Sequence, residues 1–244
     1  MVNLVLDIGN TRTKLGVFSA GHLLYKDQVE DLKNGLLEQL VLDFWVEQVF
    51  VSSVTRPSSE LLPDLTSMVR VHDLSHLTPL PFVNAYQTPE TLGKDRLAAV
   101  AGAQALFPAT DCVVVDAGTC IKYEVLLAEG RYLGGNIAPG LHMRSEAMHV
   151  FTAKLPEVPL KLPNQSVGFS TETALQNGAY LGAVLESEGV VRRFEQEIGR
   201  EFKVLFTGGD GWFLKEHFRD ANANYQPNLV LIGLDYIARY QGMP

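Results

Sequence analysis

Cysteine is nearly absent: the 244 residues contain two, Cys112 and Cys120. Two are too few for a disulfide framework, and they do not stand at metal-ligand spacing, so both are expected to be reduced, largely buried thiols. Long apolar runs are also lacking. None approaches the roughly 20 residues that a membrane-spanning helix needs. The first residues carry no basic stretch and no small-residue cleavage site, so no signal peptide is expected and the chain is expected to be cytoplasmic. Positive charge is scarce, with 20 Lys and Arg against 28 Asp and Glu and a net charge of −8. That argues against a nucleic-acid partner, which needs a basic face, but not against a small anion such as ATP, for which a few local donors suffice. His142 and His149 lie seven apart with no Cys or close acid at ligand spacing, so zinc is not expected. What is present is ordinary: 46% hydrophobic and 20% charged residues suit a globular α/β protein of one large or two small domains with a sizeable core.

The most informative stretch is Val2 to Phe18, VNLVLDIGNTRTKLGVF. An apolar run ends on Asp7, Gly9-Asn10-Thr11 supplies turn chemistry, and a second apolar run follows, which predicts a β-hairpin with an acid at the end of its first strand. A carboxylate at the edge of a core is costly to desolvate and invites a partner. The turn offers backbone N–H groups and a hydroxyl suited to a phosphate, and Lys14 adds charge. The stretch taken alone is equally an ordinary hairpin with an Asx-type turn. A second stretch, VVVDAGTCIKYEVLL from Val113 to Leu127, repeats the pattern. An apolar run ends on Asp116, Gly118 and Thr119 follow, and the apolar run returns. The repeat lies about 100 residues downstream, far beyond a solenoid period and the size of a duplicated domain. Two such hairpins facing one another would hold the phosphate tail of a nucleotide from both sides.

Between them the pattern predicts a strand, a turn at Ala20-Gly21 and another strand over Val17 to Lys26. A helix follows within Leu32 to Val46, then a strand over Val49 to Val54, a helix opened by Pro57 and running toward Met68, and a strand over Val69 to Asp73. Strands followed by helix–strand alternation indicate an α/β domain. Leu77 to Thr91 is expected to be a loop, and Tyr86 within it reads first as a surface-packing aromatic. Gly93-Lys94-Asp95-Arg96 opens an Ala-rich helix, Leu97 to Leu106. Asp95 is either a helix N-terminal acid, with Arg96 a solvated charge, or a general base facing a cleft. Gly134 to Gly140 is expected to be a turn where backbone approaches a ligand. A helix from about Leu141 to Phe151 and an extended linker from Lys154 to Asn164 follow. Ser170 or Thr171 caps a long helix from Glu172 to Phe194. A strand over Lys203 to Phe206 ends in Thr207-Gly208-Gly209-Asp210, and Leu229 to Tyr240 forms a closing helix.

Six stretches in this order carry a resemblance: DIGNTRTK at 7–14, GKDR at 93–96, DAGT at 116–119, GGNIAPG at 134–140, TAKLP at 152–156 and TGGD at 207–210. Together they resemble the type III pantothenate kinases of the acetate kinase–sugar kinase–Hsp70–actin superfamily. The resemblance implies two ribonuclease H-like (actin-like ATPase) domains, residues 1–112 and 113–244, with mixed sheets flanked by helices and an active-site cleft between them. It implies a homodimer and ATP-dependent phosphorylation of pantothenate, the first step of coenzyme A biosynthesis. By position, Asp95 would be the catalytic base and Asp7 would organise Mg²⁺. Asp7, Ile8, Gly9, Asn10, Thr11, Arg12, Thr13, Lys14 and Thr119 would bind ATP. Tyr86, Gly93, Lys94, Asp95, Arg96 and Thr171 would line the pantothenate site, and Asp116 would hold a monovalent cation, potassium or ammonium.

At one place this chain departs from the family pattern. After Asp-x-Gly-Thr the family commonly continues Ala-x-Thr and then an acid, whereas here Cys120-Ile121-Lys122 follows, with Glu124 two residues on. If register turns Lys122 toward Asp116, its ammonium takes the ion's place; if it faces solvent, the ion is needed. The family pattern outweighs the single lysine in the sequence, so activity is expected to rise when potassium or ammonium replaces sodium. Two rival readings are a non-catalytic nucleotide-binding regulator and a kinase of another small hydroxyl substrate such as a sugar. Retention of Asp7 and Asp95 disfavours the first, and GKDR with the short chain disfavours the second.

Overall fold

A computed structural model describes all residues except 10, 11, 33, 54, 55, 221, 243 and 244, and the side chain of residue 34. In chain order the elements are β1 (Val2–Ile8), β2 (Thr13–Ser19), β3 (His22–Val29), α1 (Asn34–Phe44), β4 (Gln48–Ser53), α2 (Ser58–Leu61), α3 (Leu65–Met68), β5 (Arg70–Asp73) and β6 (Val83–Asn84). A 3₁₀ turn (Pro89–Thr91) precedes α4 (Lys94–Leu106), β7 (Cys112–Ala117), β8 (Cys120–Leu127), β9 (Arg131–Pro139) and α5 (Leu141–Val150). Then come α6 (Thr171–Gln176), a π turn (Asn177–Leu181), α7 (Gly182–Ile198), β10 (Lys203–Thr207), α8 (Gly211–His217), β11 (Asn224–Tyr225) and α9 (Leu229–Gln241).

The chain divides into two compact units. One holds Met1–Ala109, Leu126–Leu133 and Asn228–Pro244; the other holds Thr110–Val125 and Gly134–Pro227. The sequence boundary at residue 112 leaves the closing helix in the second half, whereas its contacts put α9 in the first unit. The glycines explain why. A Cβ at Gly233 would collide with the Ala98 carbonyl of α4, and one at Gly102 would collide with the Leu229 carbonyl. Small residues on both helices let their backbones touch, an association that sequence order does not announce.

In the first unit the sheet order is β3-β2-β1-β4-β5. β2 runs antiparallel to β1 and β3, while β4 runs parallel to β1 and β5 parallel to β4. Leu4, Leu6, Ile8, Leu15, Val17, Val49 and Val51 pack with Leu37, Leu40 and Val41 of α1 in one buried cluster. The opposite face meets α9: the Asn3 side chain donates to Asp235 at 2.8 Å, and a Cβ on Gly16 would lie 3.4 Å from the Leu231 side chain. Alternation along β1 puts Asp7 on this second face with Asn3 and Val5. The β2–β3 hairpin turns at Ala20 and Gly21, both at positive φ (49° and 85°), as a tight two-residue turn requires.

The second sheet repeats the plan. Its order is β11-β10-β7-β8-β9-β6, with β10 parallel to β7 and β11 parallel to β10. From β9 to β11 this is the order of the first sheet, as a duplicated domain predicts. β6 pairs with the first residues of β9, Arg131 and Tyr132, which belong to the first unit. Inside the second unit the buried Tyr123 hydroxyl of β8 donates to Glu186 (3.1 Å) and lies 3.0 Å from the Ser187 hydroxyl, both on α7. Glu186 in turn binds Arg144 of α5 at 2.7 Å.

Three expectations are corrected. The helix expected from Pro57 to Met68 is two short helices, α2 and α3, because Pro63 between them lacks an N–H and clashes with the preceding turn. The expected turn at Gly134 to Gly140 is mostly strand. Gly134 takes φ 111° and Gly135 lies so close to β8 that a Cβ would strike the Tyr123 carbonyl, so the glycines serve sheet packing. The expected single helix after Ser170 is interrupted by the π turn at Asn177–Leu181, an insertion that hydrophobic periodicity does not reveal.

Candidate active site

In the first unit Asp7 is the penultimate residue of β1, half-buried and opposite Lys14 in the β1–β2 register. Paired residues of antiparallel strands project to one face, so acid and ammonium share it. Ile8 is buried in the core, so its backbone alone is available to a ligand. Gly9 N–H donates to the Arg12 carbonyl at 3.1 Å, Arg12 is exposed and Thr13 is buried. Asn10 and Thr11 lie outside the described residues. A cavity of about 440 Å³ lined by Met1, Val46–Gln48 and Met68–Arg70 opens at the N-terminal ends of β1, β4 and β5. Asp7 stands at the C-terminal ends, where open α/β sheets bind ligands.

Gly93 is the N-cap of α4 and Asp95 stands in its first turn, half-exposed at the positive end of the helix dipole. A Cβ on Gly93 would sit 2.6 Å from Asp95 Oδ1; glycine leaves room for that carboxylate to fold back over the cap. Lys94, at the first helical position, is half-exposed. Arg96 differs from a solvated charge: it is only 4% exposed. Its guanidinium lies over the Tyr86 ring at 5.2 Å from the centroid, and Tyr86 stacks on Tyr132 with centroids 6.4 Å apart and planes 11° from parallel. Tyr86 is therefore part of an Arg–Tyr–Tyr stack, held in place by a cation–π contact. Tyr132 escaped the sequence reading because a lone aromatic in a strand reads as core.

In the second unit Asp116 ends near the tip of β7, buried, with Lys122 Nζ 2.6 Å from its Oδ2. The Gly118–Thr119 turn is held by three backbone bonds: Gly118 N–H to the Cys120 carbonyl (3.0 Å), Gly140 N–H to the Thr119 carbonyl (3.1 Å) and Asp210 N–H to the Ala117 carbonyl (3.0 Å). A Cβ on Gly140 would collide with the Gly118 and Thr119 carbonyls, and one on Gly208 (φ 87°) with the Ala117 carbonyl. The GGNIAPG and TGGD stretches thus meet the DAGT turn, with Thr119 exposed between them. Asp210 lies 3.7 Å from His142. Burial raises its pKa above the usual carboxylate value, and His142 partly offsets this. His149 donates from Nδ1 to the Leu155 carbonyl at 2.7 Å. Ser170 is the N-cap of α6 with a reciprocal capping box to Thr173, which leaves Thr171 exposed at the first helical position. Both cysteines are free; Cys112 is buried, which pushes its thiol up to about 12, and Cys120 is half-buried.

Residues 3–193 match the type III pantothenate kinase family. A type III pantothenate kinase of Phocaeicola vulgatus is 39% identical over 86% of each chain, and one of Christiangramia forsetii is 36% identical over 98% of each. The chain belongs to the type III pantothenate kinase family. A crystal structure of a Baf family protein from Campylobacter jejuni, 25% identical, superposes with a TM-score of 0.67 over 98% of each chain. The ROK hexokinase of Thermus thermophilus, 15% identical, has the same fold at a TM-score of 0.52 over the whole of both chains. The fold is that of the sugar kinases and actin-like ATPases, and this member of the family is a kinase. Among the described residues no helix is long and apolar enough to cross a membrane.

Proposed function

We infer that the chain transfers the γ-phosphoryl group of ATP to the primary hydroxyl of pantothenate, forming 4′-phosphopantothenate, the first step of coenzyme A biosynthesis. The observation that carries this is the match of 191 consecutive residues to the family together with the duplicated Asp-x-Gly hairpins on two like sheets. Phosphoryl transfer needs positioning and charge neutralisation more than covalent chemistry. In this reading the Gly9–Lys14 connection and Thr119 receive the ATP phosphates. Asp7 accepts Mg²⁺. One half-exposed carboxylate beside a phosphate turn, with no cluster of three metal-binding side chains among the described residues, fits an ion that keeps its waters and takes ligands from the nucleotide. When bound, Mg²⁺ supplies neutralisation of charge on the transferred group. Asp95 takes the hydroxyl proton of pantothenate, and Gly93, Lys94, Arg96, Tyr86 and Thr171 hold that substrate. Arg96, fixed beneath Tyr86, contributes a positive charge that does not need to be ordered on binding.

The reading includes a homodimer. α5 exposes Met143 and Val150, seven residues and two turns apart; Ile137 and Phe151, which flank it in sequence, and Val167 and Phe169, just before α6, are exposed too. Large apolar side chains left on a surface mark interaction sites. A coupled assay of ADP release with and without pantothenate tests the function. Release dependent on pantothenate is expected; ADP release unaffected by pantothenate, or specific for a sugar, overturns it.

A further inference from the structure

We infer that Lys122 is a built-in monovalent cation: its ammonium fills the position beside Asp116, and the enzyme works without potassium or ammonium. This rests on the kinase reading of the Gly118–Thr119 turn. Asp116 lies near the end of β7, the strand between β10 and β8, and is buried. Such a charge must be matched locally, because removing one member of a buried pair leaves the other uncompensated. Lys122 matches it: Nζ is 2.6 Å from Oδ2, with the two side chains 18% and 12% exposed. The other oxygen, Oδ1, is 2.6 Å from the place where a Cβ on Gly208 would sit, so the Thr207–Asp210 loop closes over it.

A diffusible ion at this carboxylate would need a ring of oxygen ligands. Instead one carboxylate oxygen faces a cation that belongs to the chain, and the other faces a tightly packed loop. A fixed ion does not fit here without displacing Lys122. The physical advantage is one of concentration: a lysine tethered six residues beyond Asp116 in the same hairpin is always present, whereas potassium must bind from solution. Its compact point charge, rather than a planar guanidinium, is also the nearer mimic of a small ion. Its role is positioning. It removes the repulsion that Asp116 would exert on a triphosphate seated at Gly118–Thr119 and keeps the carboxylate in place under that turn.

The test compares the full chain in sodium, potassium and ammonium chloride at equal ionic strength, reading Mg-ADP affinity by calorimetry, Tm and steady-state rates. Wild type is expected to differ by less than about twofold among the salts, since a cation that does not bind the folded state cannot shift it. Lys122→Thr is expected to bind nucleotide on the order of tenfold more weakly in sodium, the worth of one charge-assisted contact, and to regain most of it, with a higher Tm, in potassium or ammonium. Wild-type affinity and Tm that rise in potassium overturn the inference. So does a Lys122→Thr enzyme equal to wild type in sodium. Wild type alone decides the matter if the variant does not fold. Because affinity and Tm are read without pantothenate, a failure of the substrate assignment shows separately, as absent turnover with the salt pattern intact.

Discussion

In the first unit Asp7 is followed by a four-residue connection, Gly9 to Arg12, whose one described backbone bond runs from Gly9 to Arg12 within the connection itself. In the second, Asp116 and Ala117 are followed by a two-residue connection, Gly118 and Thr119; Gly140 N–H bonds the Thr119 carbonyl and Asp210 N–H the Ala117 carbonyl from outside. Asp7 is half-buried and shares a face with Lys14 across the register; Asp116 is buried and bonded to Lys122. One plan has been finished in two ways. The hairpin with the longer connection, here called open, offers its acid in the proposed reading to a hydrated divalent ion and a phosphate tail, while the closed hairpin has Asp116 paired with Lys122 and a short turn bonded to later loops. Duplication supplies the frame, and the loops that later elements lay over it decide what each copy does.

The largest expected effect lies outside both hairpins. Asp95→Asn keeps an isosteric helix N-terminus and is expected to lower kcat by roughly 10²–10⁴-fold, the usual share of a general base, with Mg-ADP affinity unchanged. Near wild-type turnover would remove Asp95 from the proton transfer and return attention to the hairpin acids. Next is the open hairpin. Asp7→Asn is expected to lose activity with little recovery at high Mg²⁺, since this carboxylate is the group the proposed reading gives the ion. Full recovery at millimolar Mg²⁺ would mean that Asp7 only strengthens binding.

The closed hairpin is probed by stability. Gly140→Ala forces a methyl into the Gly118 and Thr119 carbonyls and is expected to cost about 1–3 kcal/mol, read as several degrees in Tm. Gly9→Ala meets only the Arg12 carbonyl at 3.1 Å and should cost less. Equal losses would erase the contrast between the two turns. The smallest effect concerns pH. Asp210 has its pKa raised chiefly by burial, so the folded state holds this proton more tightly than the unfolded chain. Its contribution to stability is full below the ordinary Asp value and is lost as pH rises through the raised one. Asp210→Asn should flatten that part of the curve of Tm against pH, and an unchanged slope would show that His142 already neutralises the site.

Sequence alone determined a good deal about this protein. Alternating and continuous apolar runs ending on Asp7 and Asp116, with Gly and Thr behind them, specified two hairpins and their duplication, because strand periodicity and turn chemistry are local properties. The Ala-rich helix behind GKDR and the family were legible for the same reason: short motifs lie in the chain itself. Tertiary structure decided the rest. Arg96 reads as a solvated charge until Tyr86 and Tyr132, ten residues before it and 36 after it, come together over it. The glycines of GGNIAPG read as a turn until β8 arrives against them. α9 reads as the end of the second half until its glycine meets Ala98. Lys122 could face Asp116 or water, since a shift of one residue in strand register reverses every side chain. Only the assembled sheet brings that ammonium to the carboxylate, because register is set by packing on both faces and not by the residues of the hairpin alone.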